Sequence, residues 1–302
     1  MDETPLWTPT RWARNGNIQL AYDRMAGDGD PLLLVTGLGV SRRWWPDGLC
    51  RALAAHGFAV ARYDQRDSGE STHLPPTATG SPITALFRKR GEAYTAEEMT
   101  DDAVAVLDAL GWEPAHLLGQ SLGGAVAQRV AVRHPGRVQT LTTVSAVPGD
   151  ASGLATLRYI RLGTLAKLAR MKFPQTPEGD IEAGVALARL LASPAYPFDE
   201  RATREEIERL ADAGVHDRDS QSRQIGARWH GAPISAITVP TLVLHGTADP
   251  LIKPKAANDI TARIPGARFV PLPGVGHELP APVWDQVAAE IRRLTTEHQP
   301  AV

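Results

Sequence analysis

Short apolar runs alternate with stretches of helical period along the first half of the chain. Residues 31–36, 58–64, 116–119 and 141–145 are nearly continuous in apolar or β-branched side chains, the pattern of strands buried on both faces. Between them, residues 96–110 and 123–134 carry apolar positions at helical spacing, the first opened by Thr95 and Glu98 at capping-box separation. Ahead of these elements, Asn15-Gly16 lies between residues 10–14 and 17–22, which predicts a hairpin closed by a two-residue type I′ turn. Such alternation predicts an α/β fold with a mainly parallel central sheet flanked by helices. It stops near Pro148. From there to about residue 235 only helical patterns occur, at 154–171, 181–191 and 204–213, interrupted by Pro174, Pro177, Pro194 and Pro197. Strand patterns return at 240–246 and 267–272, and a helix at 283–294 closes the chain. The expected organisation is a core of residues 1–147 and 235–302 carrying an all-helical insertion, 148–234, seated over the strand ends as a cap.

Composition narrows the function classes. The 32 basic residues against 34 acidic ones leave a net charge of −2, which gives no electrostatic drive toward nucleic acid or an anionic membrane. A single cysteine, Cys50, excludes an intramolecular disulfide framework and a cysteine-rich zinc cluster. No run approaches the roughly 18 apolar residues of a membrane-spanning helix, and residues 1–14 lack the apolar stretch of a secretory signal. These features predict a soluble, cytoplasmic, globular protein.

The chemistry concentrates in three loops that follow strands. Gly119-Gln120-Ser121-Leu122-Gly123-Gly124 joins a strand directly to a helix, the context of a Gly-x-Ser-x-Gly nucleophile elbow. So tight a turn needs small residues two positions either side of the serine, and it leaves the Leu122 amide at a helix start, facing any developing oxyanion. A serine hydroxyl needs a base. Of nine histidines, His277 is the best placed, in Pro273-Gly274-Val275-Gly276-His277-Glu278 after the last strand. His73, His216 and His230 stay open as substrate contacts, and His245 ends an apolar strand as a structural residue. The base needs a carboxylate, for which Asp249 in Gly246-Thr247-Ala248-Asp249-Pro250 is favoured and Asp150 is the rival. Serine, acid and histidine then follow in the chain order that the elbow predicts. A second oxyanion donor is expected from the Leu38 amide in Thr36-Gly37-Leu38-Gly39.

These motifs, with Arg62-Tyr63-Asp64-Gln65-Arg66-Asp67-Ser68-Gly69-Glu70-Ser71, resemble those of α/β-hydrolases across nearly the whole chain. Trp45-Pro46-Asp47, Asp67 and His277-Glu278-Leu279-Pro280 bring it nearer to the capped serine esterases typified by aclacinomycin methylesterase. The resemblance implies Ser121 as nucleophile, Asp249 as acid, His277 as base, the Leu38 and Leu122 amides as oxyanion hole, and no metal or organic cofactor. It also implies hydrolysis of a carboxylic ester through an acyl-enzyme, specifically a methyl ester of a polyketide-type metabolite. The same triad serves carbon–carbon bond hydrolysis and cofactor-free perhydrolysis, and a non-catalytic ligand receptor is the alternative of another class. Two departures stand out: Thr36 occupies a position that is often histidine, and Leu38 one that is glycine in the methylesterase. Asp64 and Arg66 are expected to form a buried ion pair, and Trp44 and Trp45 either line the acyl pocket or pack.

Overall fold

The computed structural model describes residues 6–75, 93–151, 153–174, 176–211 and 218–298. Eight strands form one sheet: β1 (Arg11–Asn15), β2 (Ile18–Arg24), β3 (Asp30–Val35), β4 (Phe58–Tyr63), β5 (Ala115–Gln120), β6 (Val138–Val144), β7 (Thr241–Gly246) and β8 (Arg268–Leu272). Their order is β1-β2-β4-β3-β5-β6-β7-β8. The β1–β2 and β2–β4 pairs are antiparallel and all others parallel. Period-two alternation sends Leu33, Val35 and Val243 into the core on one face, and Leu32, Leu34, Leu242 and Leu244 into the core on the other. The first core is covered by α2 (Ala96–Leu110) and α3 (Leu122–Arg133) through Met99, Val106, Val126 and Val130. The second is covered by α1 (Asp47–Ala55) and the C-terminal helix (Trp284–Glu297) through Leu49, Leu53, Val287 and Ile291. Two-sided burial is why the parallel strands read as continuous apolar runs. No helix among the described residues is long and apolar enough to cross a membrane.

The segment between β6 and β7 contains α4 (Leu162–Arg170), α5 (Pro177–Leu191), α6 (Glu200–Ala211) and α7 (Arg218–Gly226), and α8 (Lys255–Arg263) follows β7. The helix expected at 154–171 is two pieces, a 3-10 helix at Gly153–Arg158 and α4. Between them Ile160 forms an antiparallel bridge with Ile252. Flanking it, the Arg161 amide donates to Leu251 O at 2.8 Å and the Lys253 amide to Tyr159 O at 2.7 Å. Pairing with residues ninety positions away overrides a periodicity that is only local. Residues 212 and 213 of the expected 204–213 helix, and His216, lie outside the described residues. The N-terminal hairpin is displaced by one residue: Asn15 pairs with Ile18, so the loop is Gly16-Asn17. Gly16 has φ 60° and Asn17 is not at positive φ, the pattern of a II′ turn with glycine at its first central position.

Asp64 and Arg66 are both buried, but not with each other. Asp64 pairs with Arg42, whose guanidinium also meets Asp23 at 2.9 Å, while Arg66 is bidentate to Asp102 at 2.6 and 2.8 Å. Each arginine finds its carboxylate on another element: Arg42 ties its loop to Asp23 of β2, and Arg66 ties the loop after β4 to Asp102 of α2.

His116 on β5 is buried and bonds Thr140 Oγ1 at 2.9 Å. Burial pulls its pKa from 6.5 to about 4. The folded state therefore binds fewer protons than the unfolded chain between these values, so this residue's stabilisation is complete above pH 6.5 and is lost as pH falls toward 4. The expected slope is about 1.4 kcal/mol per pH unit. Urea midpoints of the parent and His116→Gln across that window check this; equal slopes would refute it.

Candidate active site

Ser121 stands between the last residue of β5 and the first of α3, with φ 54° and ψ −120°. That left-handed backbone costs a non-glycine residue of order 1–3 kcal/mol. It is held by neighbours: the Ser121 amide donates to Val144 O at 2.9 Å, and Ser121 O accepts from the Gly124 and Ala125 amides at 3.1 and 3.3 Å. The elbow glycines are steric requirements. A Cβ on Gly119 would lie 2.3 Å from Gly123 O, and one on Gly123 would lie 2.1 Å from Val35 O. Helix α3 thus begins close against β3, with the amides of Leu122 and Gly123 ahead of its first intrahelical bond. The turn after β3 lies alongside, since a Cβ on Gly37 would sit 3.6 Å from Ser121 Cβ. Leu38 is the next residue in that turn.

Asp249 follows β7 and is only 1% exposed. Its Oδ1 accepts from the Leu251 and Ile252 amides at 2.7 and 2.8 Å, and its Oδ2 lies 2.9 Å from His277 Nδ1. Burial opposes the charge, but His277 and the two amides outweigh it and hold the carboxyl below the usual aspartate range. Asp150 lies elsewhere, its carboxylate engaged by Arg263 and by the Ile234 amide at 3.1 Å. With the Nδ1 proton donated to Asp249, His277 Nε2 keeps its lone pair and can act as a base.

Sequence reasoning missed how these loops are held. Gln120 Nε2 donates to His277 O at 2.9 Å, tying the histidine's backbone to the residue before Ser121. The His277 amide donates to Leu191 O at 3.0 Å, and the Gly276 amide to Ser193 Oγ at 2.8 Å, so the end of α5 grips the histidine loop. Glu278, next to His277, accepts from the Ser193 amide at 3.3 Å, and burial pushes its carboxyl above the usual range. On the acid loop, Arg161 Nε donates to Asp249 O at 2.9 Å. Gln120 lay within the elbow motif and could have been noticed there. Arg161 and Ser193 belong to no motif, and only the folded chain brings them near.

The remaining candidates sort by burial. His245 is buried and bonds Ile252 O at 3.3 Å, and burial lowers its pKa. His73 bonds Gly69 O at 3.0 Å. Trp45 is 3% exposed and packs in the core with Met25 and Leu49, which assigns it to packing, whereas Trp44 is half-buried. Among the described residues, no group of three or more His, Cys, Asp or Glu side chains is placed to hold a metal.

Comparison with known proteins adds an independent line. The family described as alpha/beta hydrolase fold matches residues 30–280. Rhodomycin D methylesterase DnrP of Streptomyces peucetius is 32% identical over 307 aligned positions, covering 94% of this chain and 97% of its own. Rhodomycin D methylesterase DauP of Streptomyces sp. (strain C5) is 33% identical over 301 positions with the same coverage. Among solved structures, the esterase RhEst1 of Rhodococcus sp. ECU1013 matches with TM-score 0.71 at 21% identity, covering 96% of this chain and 99% of that one. The meta-cleavage product hydrolase CumD of Pseudomonas fluorescens IP01 matches with TM-score 0.70 at 19% identity, covering 96% and 98%. At these identities the two structures share the fold.

Proposed function

The chain belongs to the alpha/beta hydrolase fold family and is a carboxylic ester hydrolase, and from that premise we propose that it removes a methyl ester from a polyketide-type metabolite through a Ser121–His277–Asp249 triad. One observation carries the mechanism. The His277–Asp249 bond of 2.9 Å is tethered, through Gln120, to the strand end that bears the strained Ser121.

Ser121 Oγ attacks the ester carbonyl as His277 Nε2 takes its proton, and Asp249 stabilises the resulting imidazolium. The carbonyl electron pair moves onto oxygen, where the Leu38 and Leu122 amides receive it. Collapse breaks the bond to the alkoxy oxygen, which leaves as methanol with the proton from His277. Water then attacks the acyl-serine, gives its proton to His277, and a second tetrahedral intermediate releases the acid and Ser121. Every step uses only groups of this chain and water. Residues 148–234 form the cap in this reading, supported by the helices α4–α7 and by their bonds to the acid and histidine loops.

The methyl ester is drawn from the two methylesterase relatives. Mass spectrometry of carbomethoxy polyketides and simple alkyl esters, incubated with parent enzyme and with Ser121→Ala, tests it. The expected result is conversion of the carbomethoxy compounds to acids, one CH₂ lighter, with release of methanol by the parent alone. Turnover confined to 1,3-diketones or to peracid formation would replace the ester reading. Stoichiometric acylation without release would make the chain a receptor.

A further inference from the structure

We propose that Gln224, on helix α7 of the segment between β6 and β7, is a positioning residue for the oxyanion hole, an inference that rests on the serine mechanism above. The turn in question is Thr36-Gly37-Leu38-Gly39. The peptide before Leu38, which carries the Leu38 N–H, is flanked by two others, and each of those is pinned. On one side Gln65 Nε2 donates to Thr36 O at 2.7 Å. On the other the Gly39 amide donates to Gln224 Oε1 at 2.9 Å. The middle peptide is bracketed, and no hydrogen bond among the described residues takes up its N–H. A donor that is already oriented needs no reorganisation when charge develops, which is what makes oxyanion stabilisation effective.

Gln224 is itself rigidly held. It is 1% exposed, and its Nε2 donates to Arg66 O and Ser68 Oγ, both at 2.9 Å. The partners fix which way the amide faces, because the Gly39 N–H can only donate and the Arg66 carbonyl can only accept. The neighbouring Arg223 makes a bidentate pair with Asp67, 2.9 Å for each contact, with both side chains 0% exposed. Asp67 sits at φ 63° and also accepts from the Leu74 amide at 2.8 Å. A third contact comes from Gln221, one helical turn before Gln224, because a Cβ on Gly39 would lie 2.5 Å from Gln221 Cγ. Gly39, at φ 65°, is thus held to glycine by backbone and neighbour together.

Buried ion pairs contribute little net stability, since desolvation offsets their attraction. What this one does is fix the register of α7 on the loop after β4. From that anchor Gln224 reaches a turn 185 residues earlier in the chain. Helix α7 therefore belongs to the catalytic apparatus as well as to the cover of the site.

Gln224→Met keeps volume and flexibility and removes all three hydrogen bonds. Gln224→Asn keeps the amide but is one methylene too short to span Gly39 and Ser68. Both are to be compared with the parent for kcat and KM on p-nitrophenyl butyrate and for inhibition by an alkyl trifluoromethyl ketone, whose adduct with serine carries an oxyanion. The inhibition constant reports the hole independently of how much protein is active. The expected result is ketone affinity weakened about 10–100-fold, kcat lowered by a similar factor, and KM within twofold. Ketone affinity within twofold of the parent in both variants, whatever happens to Tm, would make Gln224 a structural staple and overturn the proposal alone. A parent insensitive to the ketone would overturn the serine mechanism and this proposal with it.

Discussion

Ser121→Ala is expected to lower kcat by about 10⁵-fold or more while leaving KM and the far-UV circular dichroism close to those of the parent. Removing the nucleophile closes the acyl-enzyme route and leaves only the residual acceleration from the oxyanion hole and binding. The fold should tolerate the change, because the constraints at position 121 are backbone ones. The Val144, Gly124 and Ala125 hydrogen bonds all involve main-chain atoms of Ser121 and survive in alanine. Steady-state hydrolysis of p-nitrophenyl esters by both proteins, with His277→Ala to assess background, measures the effect. A loss below tenfold would mean that the hydroxyl is not the nucleophile.

Asp249→Asn is expected to cost about 10⁴-fold in kcat with little change in KM, through the wrong histidine tautomer. The surroundings dictate how the new amide sits. Oδ1 of Asp249 faces two N–H donors, from Leu251 and Ile252, so the asparagine oxygen takes that side and its NH₂ faces His277 Nδ1. Nδ1 must then accept, the proton moves to Nε2, and the imidazole can no longer take the serine proton. Asp150→Asn is the control, expected to change kcat less than threefold, because that carboxylate is engaged with Arg263. The reverse ranking would hand the role of acid to Asp150.

The core was legible because a buried parallel strand has no polar face to obscure its apolar run, and because a capping box or an elbow glycine carries its signal locally. Helix α2, Ala96–Leu110, falls where its apolar spacing and the Thr95–Glu98 capping box put it, and the structure ends it at Gly111 in the left-handed conformation. Where local pattern competes with distant partners, sequence reading fails. The apolar rhythm of 154–171 conceals the Ile160–Ile252 bridge that divides it. Helix α7 was not foreseen at all: Arg-Asp-Ser-Gln-Ser-Arg-Gln-Ile-Gly has no apolar stripe, and it is held by buried polar bonds to Asp67, Arg66, Ser68 and Gly39. The proposed site divides in the same way. Ser121, Asp249 and His277 are proposed from motifs that follow strands, whereas Gln120, Arg161, Ser193 and Gln224 make hydrogen bonds that only folding brings within reach.

The central claim is that catalysis runs through a covalent bond to one serine oxygen. It is tested most directly by treating the full-length enzyme with a fluorophosphonate and mapping the adduct by peptide mass spectrometry. The account predicts one adduct per chain, on the peptide containing Ser121, appearing in step with loss of esterase activity and much more slowly in His277→Ala. An adduct on another residue that silences the enzyme, or full inhibition with Ser121 unmodified, would contradict it.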